Sequence, residues 1–160
     1  MGVCQQIIMG EISVVIAAAG VGSRSGLPYP KTLFSIKGKP ILIRIVELLA
    51  AYDAEPIVII NEEGKDQIRQ CLLKNNTQAQ LVLQSRPRGM GDAVLCIDNS
   101  EEFTYSEHVL LVWGDIPFIQ PQTVETMVDH HLKQNSDFTF VSRVVDKAYT
   151  VVLRDKSGNV

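Results

Sequence analysis

Two glycines and two cations near the amino terminus could together bind the phosphates of a nucleotide. Gly20 and Gly22 end an apolar, β-branched segment, and Arg24 and Lys31 follow them. Glycine has no Cβ, so its backbone can bring N–H groups close to an anion. A guanidinium and an ammonium can each neutralise different oxygens of a polyphosphate. The residue types therefore predict a triphosphate-binding loop at the end of a strand.

Neither of the two common glycine-rich phosphate motifs fits this loop. The dinucleotide fingerprint G-x-G-x-x-G needs glycine where this chain has Ser25. A Walker A loop needs Gly-Lys followed by Ser or Thr, whereas Gly26 is followed by Leu27. The loop therefore belongs to another class of nucleotide-binding protein.

The same segment resembles the signature of the nucleotidyltransferases that couple nucleoside triphosphates to sugar 1-phosphates. That family has A-A-G-x-G-S/T-R after a strand and then P-K, and this chain has A-A-G-V-G-S-R at 18–24 and P-K at 30–31. The resemblance implies that Arg24 and Lys31 are catalytic. It also implies that five loop residues bind the nucleotide: Ala18, Ala19, Gly20, Gly22 and Ser23.

A second segment, after the apolar run at 80–84, resembles the base-recognition region of that family. Gln84 can donate and accept hydrogen bonds at once, and a nearby glycine lets the backbone approach a base. The N-acetylglucosamine-1-phosphate uridylyltransferases usually have G-T-G-H-A here, whereas this chain has G-M-G-D-A at 89–93. The resemblance implies that the nucleotide is bound by Gln84, Gly89, Gly91 and Asp92. It does not decide whether that nucleotide is UTP, CTP, dTTP or GTP. A polar strand end with a glycine turn is the structural alternative.

Asp115 follows an apolar strand in the sequence G-D-I-P at 114–117. Magnesium ions in proteins favour one or two carboxylates together with substrate phosphates. Sugar nucleotidyltransferases have their metal-binding aspartate in G-D-x-P, so the resemblance implies that Asp115 binds Mg²⁺. A turn-forming aspartate is the alternative.

Strands alternate with helices along the chain, which predicts a three-layer α/β/α Rossmann-like fold with a mostly parallel sheet. The first predicted strand begins at Val14, and the others cover 56–60, 80–84, 108–113, 138–145 and 150–154. The predicted helices cover 40–52, 64–74 and 123–132. Ligands of open α/β sheets bind beyond the carboxyl ends of the strands. The loops at 20–31, 85–93 and 114–117 are therefore expected on one rim.

One nucleotidyltransferase domain is expected over residues 12–160, after a tail at 1–11. The length of 160 residues and the hydrophobic content of 46% are ordinary for a single globular domain. The resemblance covers the nucleotide half of the family domain, so the fold is expected to be incomplete at its carboxyl end. The sugar-contacting G-Y-G-R-like run of the uridylyltransferases is replaced by Ala148-Tyr149-Thr150.

Composition argues against several other classes of protein. The net charge is −3 and there is no basic stripe, which argues against a nucleic-acid partner. No apolar run approaches the ~20 residues of a membrane helix. The three cysteines are widely separated, as is typical of reduced thiols in the cytoplasm.

These observations predict a Mg²⁺-dependent nucleotidyltransferase. An oxygen of a sugar 1-phosphate would attack the α-phosphorus of a nucleoside triphosphate in line, and pyrophosphate would leave. Three alternatives stay open: a cytidylyltransferase acting on a non-sugar phosphate, a molybdopterin nucleotidyltransferase, and a nucleotide-sensing module that has lost the acceptor site. The G-D-x-P strand end fits the molybdopterin enzymes less well. A homo-oligomer stays open.

Overall fold

The computed structural model describes residues 12–20, 26–86, 89–98, 106–148 and 151–158. These residues form two compact units, one ending at Phe118 and the other beginning at Ile119. Among them, the first unit contains the sheet and three α-helices, and the second contains one α-helix. The predicted tail at 1–11 lies outside the described residues, and the single domain over 12–160 stays a prediction.

Four strands of the first unit form a parallel sheet in the order β5-β4-β1-β6. Two shorter strands, β2 and β3, form an antiparallel hairpin. The strands are β1 (Ile12–Ala17), β2 (Ser35–Ile36), β3 (Lys39–Pro40), β4 (Ile57–Ile60), β5 (Gln80–Leu83) and β6 (His108–Trp113), and the helices are α1 (Ile41–Leu49), α2 (Lys65–Lys74), α3 (Met90–Asp98) and α4 (Pro121–Gln134).

The order of the strands determines where a ligand can bind. The chain runs outward from β1 through β4 to β5 and then returns to place β6 on the other side of β1. Right-handed crossovers therefore put α1 and α2 on one face of the sheet and α3 on the other. The predicted three-layer Rossmann-like fold with a parallel sheet is confirmed. Its topological switch point, where such folds bind ligands, lies between β1 and β6.

The central strands are apolar because both of their faces are covered. All four residues of β4 are buried, and Val14 and Ile16 of β1 are fully inaccessible to solvent. On the α3 face, Val15 lies in one apolar cluster with Ala93 and Ile97 of α3. Burial of each large aliphatic side chain contributes about 1.5–3 kcal/mol. The core thus fixes the sheet whose edge supports the site.

Helix α3 corrects the prediction of a glycine turn over 85–93. Gly91, Asp92 and Ala93 lie within the helix, which begins at Met90. Gly89, directly before the helix, has φ +101° and accepts a hydrogen bond from the Ala93 N–H at 3.1 Å. Packing of Ala93 on the sheet outweighs the low helix propensity of glycine. Gly91 and Asp92 are therefore placed by helical geometry.

The strands predicted over 138–145 and 150–154 are wrong for the residues described there. Residues 138–148 and 151–155 are irregular, and Thr150 lies outside the described residues. Phe138, Val144 and Leu153 are mostly exposed. The β-branched composition suits a strand, but a strand must pair its backbone groups with a partner. The described part of the second unit contains no strand.

The second unit contains α4, which is longer than the helix predicted over 123–132. Pro121 stands in its first turn, where a missing N–H costs nothing. The left-handed Asn135 ends it. Nδ1 of His131 lies 2.9 Å from Oγ1 of Thr139. Across the described residues, no helix combines the length and the apolar character needed to cross a bilayer.

Candidate active site

Residues at the carboxyl ends of β1, β5 and β6 line one cleft. The backbone ladder continues one residue past the strands: the Ala18 N–H donates to Ile59 at 2.8 Å, and the Gly114 N–H donates to Ala17 at 2.9 Å. The cleft has a volume of about 220 Å³. Its lining residues are Ala17, Ala18, Ala19, Gly20, Lys31, Thr32, Gln84, Gly89, Ala93, Trp113, Gly114 and Asp115.

The loop after β1 forms one wall of the cleft. Ala18 and Ala19 are buried, while Gly20 is exposed, and all three line the cleft as predicted. Among the described residues, no heavy atom lies within 4 Å of the position that a Cβ would take at Gly20. The other predicted phosphate-binding residues of this loop, Gly22, Ser23 and Arg24, lie outside the described residues.

Asn61 supports this loop from the end of β4. Its Nδ2 donates to the carbonyl of Ala19 at 2.9 Å, and its Oδ1 accepts from the Gly64 N–H at 2.7 Å. Asn61 is not among the site residues predicted from the sequence. The signal was available, because Asn61 is the polar residue that follows the apolar strand β4, on the same rim as the predicted site residues.

Lys31 begins a 3₁₀ turn directly after Pro30, and its ammonium faces Asp115. The distance between Nζ of Lys31 and Oδ2 of Asp115 is 3.7 Å. Their side chains are 39% and 51% exposed, so solvent screens the pair and it adds little to stability. The sequence-based prediction that these two residues meet at the rim is confirmed. A cation and a carboxylate thus stand together at the switch point, accessible to a ligand.

Gln84 follows β5 and is buried, with only 4% of its surface exposed. Its Nε2 donates to Oδ2 of Asp92 at 2.7 Å and lies 3.3 Å from the carbonyl oxygen of Gly89. Gln84 and Gly89 line the cleft, whereas Gly91 and Asp92 are not among its lining residues. The structure thus brings Gln84, Gly89 and Asp92 together and leaves Gly91 on the exposed side of α3.

Gly114 allows β6 to approach the loop after β1. A Cβ at this position would lie 3.0 Å from the carbonyl oxygen of Ala17 and 3.0 Å from Cβ of Ala18. Both atoms lie at the carboxyl end of β1, where hydrogen bonds to the neighbouring strands leave the backbone little freedom to move. The close approach places Asp115 beside the loop after β1, so the glycine of the G-D-I-P sequence has a steric role.

Two further lining residues were not singled out by the sequence. Trp113, the last residue of β6, is 58% exposed although it is a large aromatic residue. Thr32 is buried, and its Oγ1 has no hydrogen-bond partner within the described part of the chain. Both residues could have been predicted from their positions in the sequence, because Trp113 precedes Gly114 and Thr32 follows Lys31.

The side chains of the cleft fit a magnesium ion that arrives with a substrate. Asp115 supplies one accessible carboxylate, and the described residues contain no cluster of three or more metal-binding side chains. A binding site formed wholly by protein would need such a cluster. Magnesium instead accepts one or two carboxylates, with waters and substrate phosphates completing its octahedron. The donor set therefore suits Mg²⁺ bound together with a triphosphate.

Solved structures share this fold at low sequence identity. The CMP:2-keto-3-deoxy-manno-octonic acid synthetase complexed with CTP is 22% identical, with a TM-score of 0.59 over 79% of this chain and 49% of that chain. The 4-diphosphocytidyl-2C-methyl-D-erythritol synthase from Anaerococcus prevotii is 23% identical, with a TM-score of 0.59 over 78% and 52%. These similarities show the common architecture.

A curated relative and a family profile cover almost the whole chain. The bifunctional protein GlmU of Caldanaerobacter subterraneus subsp. tengcongensis is 31% identical over 155 residues, which are 95% of this chain and 33% of the relative. The chain thus spans about a third of the length of the curated relatives it matches. The profile of the MobA-like NTP transferase domain matches residues 14–157, which include every residue of the cleft. The chain therefore belongs to the family of MobA-like NTP transferase domains.

Proposed function

We propose that this chain transfers a nucleotidyl group from a nucleoside triphosphate to a sugar 1-phosphate and releases pyrophosphate. The observation that supports the proposal most directly is the placement of Lys31 and Asp115, 3.7 Å apart at the switch point of the sheet. A cation that binds phosphate and a carboxylate that binds a metal are the two parts that such a transfer needs at one place.

The reaction forms one P–O bond and breaks another. An oxygen of the acceptor phosphate attacks the α-phosphorus, and the bond from the α-phosphorus to the bridging oxygen of pyrophosphate breaks. Lys31 donates hydrogen bonds to the phosphate oxygens on which negative charge accumulates. Magnesium, when bound, neutralises charge on the triphosphate, and Asp115 is the residue that would hold it. Arg24 is the second cation that the sequence proposes for the same phosphates.

The two ends of the cleft divide the nucleotide between them. The phosphate end contains the exposed backbone of Gly20 and the side chain of Lys31. The backbone N–H and the ammonium can both donate hydrogen bonds to phosphate oxygens. Gln84 and Gly89 lie at the end of the cleft formed by β5 and α3, where they suit the base. The exposed ring of Trp113 suits a flat or apolar part of the substrate.

A nucleotide titration and a pyrophosphate assay test the proposal. Trp113 is the only tryptophan of the chain and lines the cleft, so its fluorescence should change when a nucleoside triphosphate binds with Mg²⁺. Addition of a sugar 1-phosphate should then release pyrophosphate. Binding without release from any acceptor would favour the nucleotide-sensing module, and absence of binding would exclude both functions.

Substitution of Lys31 by alanine tests the role of the ammonium. We expect kcat to fall by about 10²-fold, the usual loss when one preorganised donor to a developing negative charge is removed. Lys74, at the exposed end of α2, is the matched control, and Lys74→Ala should stay close to the parent. If Lys31→Ala kept kcat within about threefold of the parent, well short of the loss expected for such a donor, the assignment of Lys31 would be wrong.

A further inference from the structure

The hydroxyl of Thr32 is a buried hydrogen-bond donor that lacks an acceptor. Only 3% of the residue is exposed, and Oγ1 has no hydrogen-bond partner within the part of the chain that the structure describes. The large majority of buried side-chain polar atoms in proteins have a partner, because an unpaired one loses its hydration without compensation. The unpaired hydroxyl therefore lowers the stability of the free protein.

The backbone of Thr32 is held at the wall of the cleft. Thr32 is the central residue of the 3₁₀ turn Lys31–Leu33. Two backbone hydrogen bonds of 2.9 Å fix this turn, one from the Leu33 N–H to Pro30 and one from the Phe34 N–H to Lys31. Both Lys31 and Thr32 line the cleft, although successive side chains of a 3₁₀ turn point about 120° apart. A ligand that follows the wall around this turn meets both side chains.

The neighbouring charges indicate which kind of acceptor suits the hydroxyl. Lys31 carries only donors, and the Asp115 carboxylate lies 3.7 Å from its ammonium. A phosphate group attracted to this ammonium has anionic oxygens, which accept hydrogen bonds and do not donate them. Such a phosphate would bring an acceptor to the residue next to Lys31.

We propose that the hydroxyl of Thr32 donates to a phosphate oxygen of the substrate, a proposal that rests on the nucleotidyl transfer proposed above. In the free protein Oγ1 is withdrawn from solvent. Rotation about the Cα–Cβ bond gives the hydroxyl its other staggered positions while the backbone of the turn stays in place. The same hydroxyl thus destabilises the free protein and increases its affinity for phosphate.

Substitution of Thr32 by valine tests both halves of this proposal, because valine has nearly the same shape and lacks the hydroxyl. The Tm of the free protein should rise by about 2–4 °C, as expected when one unpaired buried donor is removed from a chain of this length. Calorimetry with inorganic tripolyphosphate and Mg²⁺ measures the affinity without a base. That affinity should fall by about tenfold if the hydroxyl binds the triphosphate, since a hydrogen bond to a charged acceptor is lost.

Two further variants separate the hydroxyl from other changes. Thr32→Ser keeps the hydroxyl and loses a methyl group, so it should bind tripolyphosphate within about threefold of the parent, less than the value of such a hydrogen bond. Thr126 is the matched control for the chemical change, because it is exposed on α4 and its Oγ1 already donates to the carbonyl of Gln122 at 2.7 Å. Thr126→Val should not raise Tm, and it should leave the affinity unchanged.

The pyrophosphate assay identifies the phosphate that Thr32 binds. It is run on Thr32→Val with a nucleoside triphosphate and a sugar 1-phosphate that release pyrophosphate with the parent protein. A rise in KM for the nucleoside triphosphate would assign the hydroxyl to the triphosphate. A rise in KM for the sugar 1-phosphate alone, with unchanged affinity for tripolyphosphate, would assign it to the acceptor.

Other outcomes would overturn the proposal. A lower Tm of Thr32→Val would show that the hydroxyl already has a partner in the free protein, such as an ordered water. If the affinity for tripolyphosphate and both KM values stayed at the parent values, Thr32 would bind no phosphate, while the transfer reaction would stand. If the parent bound neither tripolyphosphate nor a nucleotide, the proposed function would fail and this inference would fail with it.

Discussion

Substitution of Gly64 by alanine should impair a cleft that residue 64 does not line. An added Cβ would lie 2.6 Å from Cγ of Pro30 and 3.1 Å from Oδ1 of Asn61. Ordinary contact between carbon atoms requires about 3.5–4.0 Å, so Pro30 would have to move by about 1 Å. Pro30 directly precedes Lys31, and Asn61 supports Ala19, so both walls of the phosphate end would be displaced.

The size of the effect follows from the density of packing at this point. Overpacking of a buried site costs about 1–3 kcal/mol. For a chain of this length, each kcal/mol lowers Tm by about 2–4 °C, so Tm should fall by about 2–12 °C. A catalytic group misplaced by about 1 Å costs on the order of 10²-fold in rate. The fall in kcat should therefore be larger than the fraction of unfolded protein alone would cause.

Thermal unfolding and the pyrophosphate assay measure the two effects separately. Gly91→Ala is the matched control for stability, because residue 91 is helical and, in the described part of the chain, no heavy atom lies within 4 Å of its Cβ position. Alanine should leave Tm unchanged or raise it there. If Gly64→Ala melted within about 1 °C of the parent, below the range expected for overpacking, and retained full kcat, the reasoning from close packing would be refuted.

Two other predictions concern β6 and the thiols. Gly114→Ala should destabilise the protein by about 1–3 kcal/mol, because its Cβ would lie 3.0 Å from the carbonyl oxygen of Ala17. Chemical denaturation measures this change, and an unchanged midpoint would contradict the close approach of the two strands. Burial raises the pKa of the Cys71 and Cys96 thiols, and the charge of Asp92 raises the pKa of Cys96 further. The unfolded chain then loses these protons first, so stability should fall as pH rises above about 8.5, the pKa of a free thiol. Alkylation of both thiols, followed by mass spectrometry, should reach half its maximal rate at a higher pH than in a short cysteine peptide; equal values would contradict the shifts.

The sequence predicts the sheet and the phosphate end of the cleft because both depend on local signals. Apolar, β-branched runs mark β4 and β6. The rule that ligands bind at the carboxyl ends of parallel strands predicts from the sequence alone that Lys31 and Asp115 lie together. The structure adds the distance and the exposure of the pair.

Local preference predicts the wrong structure where packing between distant residues outweighs it. Gly89 and Gly91 signal a turn, but Ala93 and Ile97 pack against the sheet and extend the helix through Gly91. The hydrogen bond from Gln84 to Asp92 requires Asp92 to be in that helix. A sequence-based model that has a loop at Asp92 therefore does not predict this hydrogen bond. The strand predicted over 138–145 would need a pairing partner, which composition does not reveal.

The division of the cleft between separate strands has a consequence for how this protein could change over evolutionary time. Lys31 lies in the 3₁₀ turn after β1 and Asp115 lies just after β6, whereas Gln84 follows β5 and Asp92 lies in α3. Strand β4 separates these two halves in the sheet. Under the proposed function, a few substitutions around α3 could therefore exchange one nucleotide for another while the residues proposed to bind the phosphates stay unchanged.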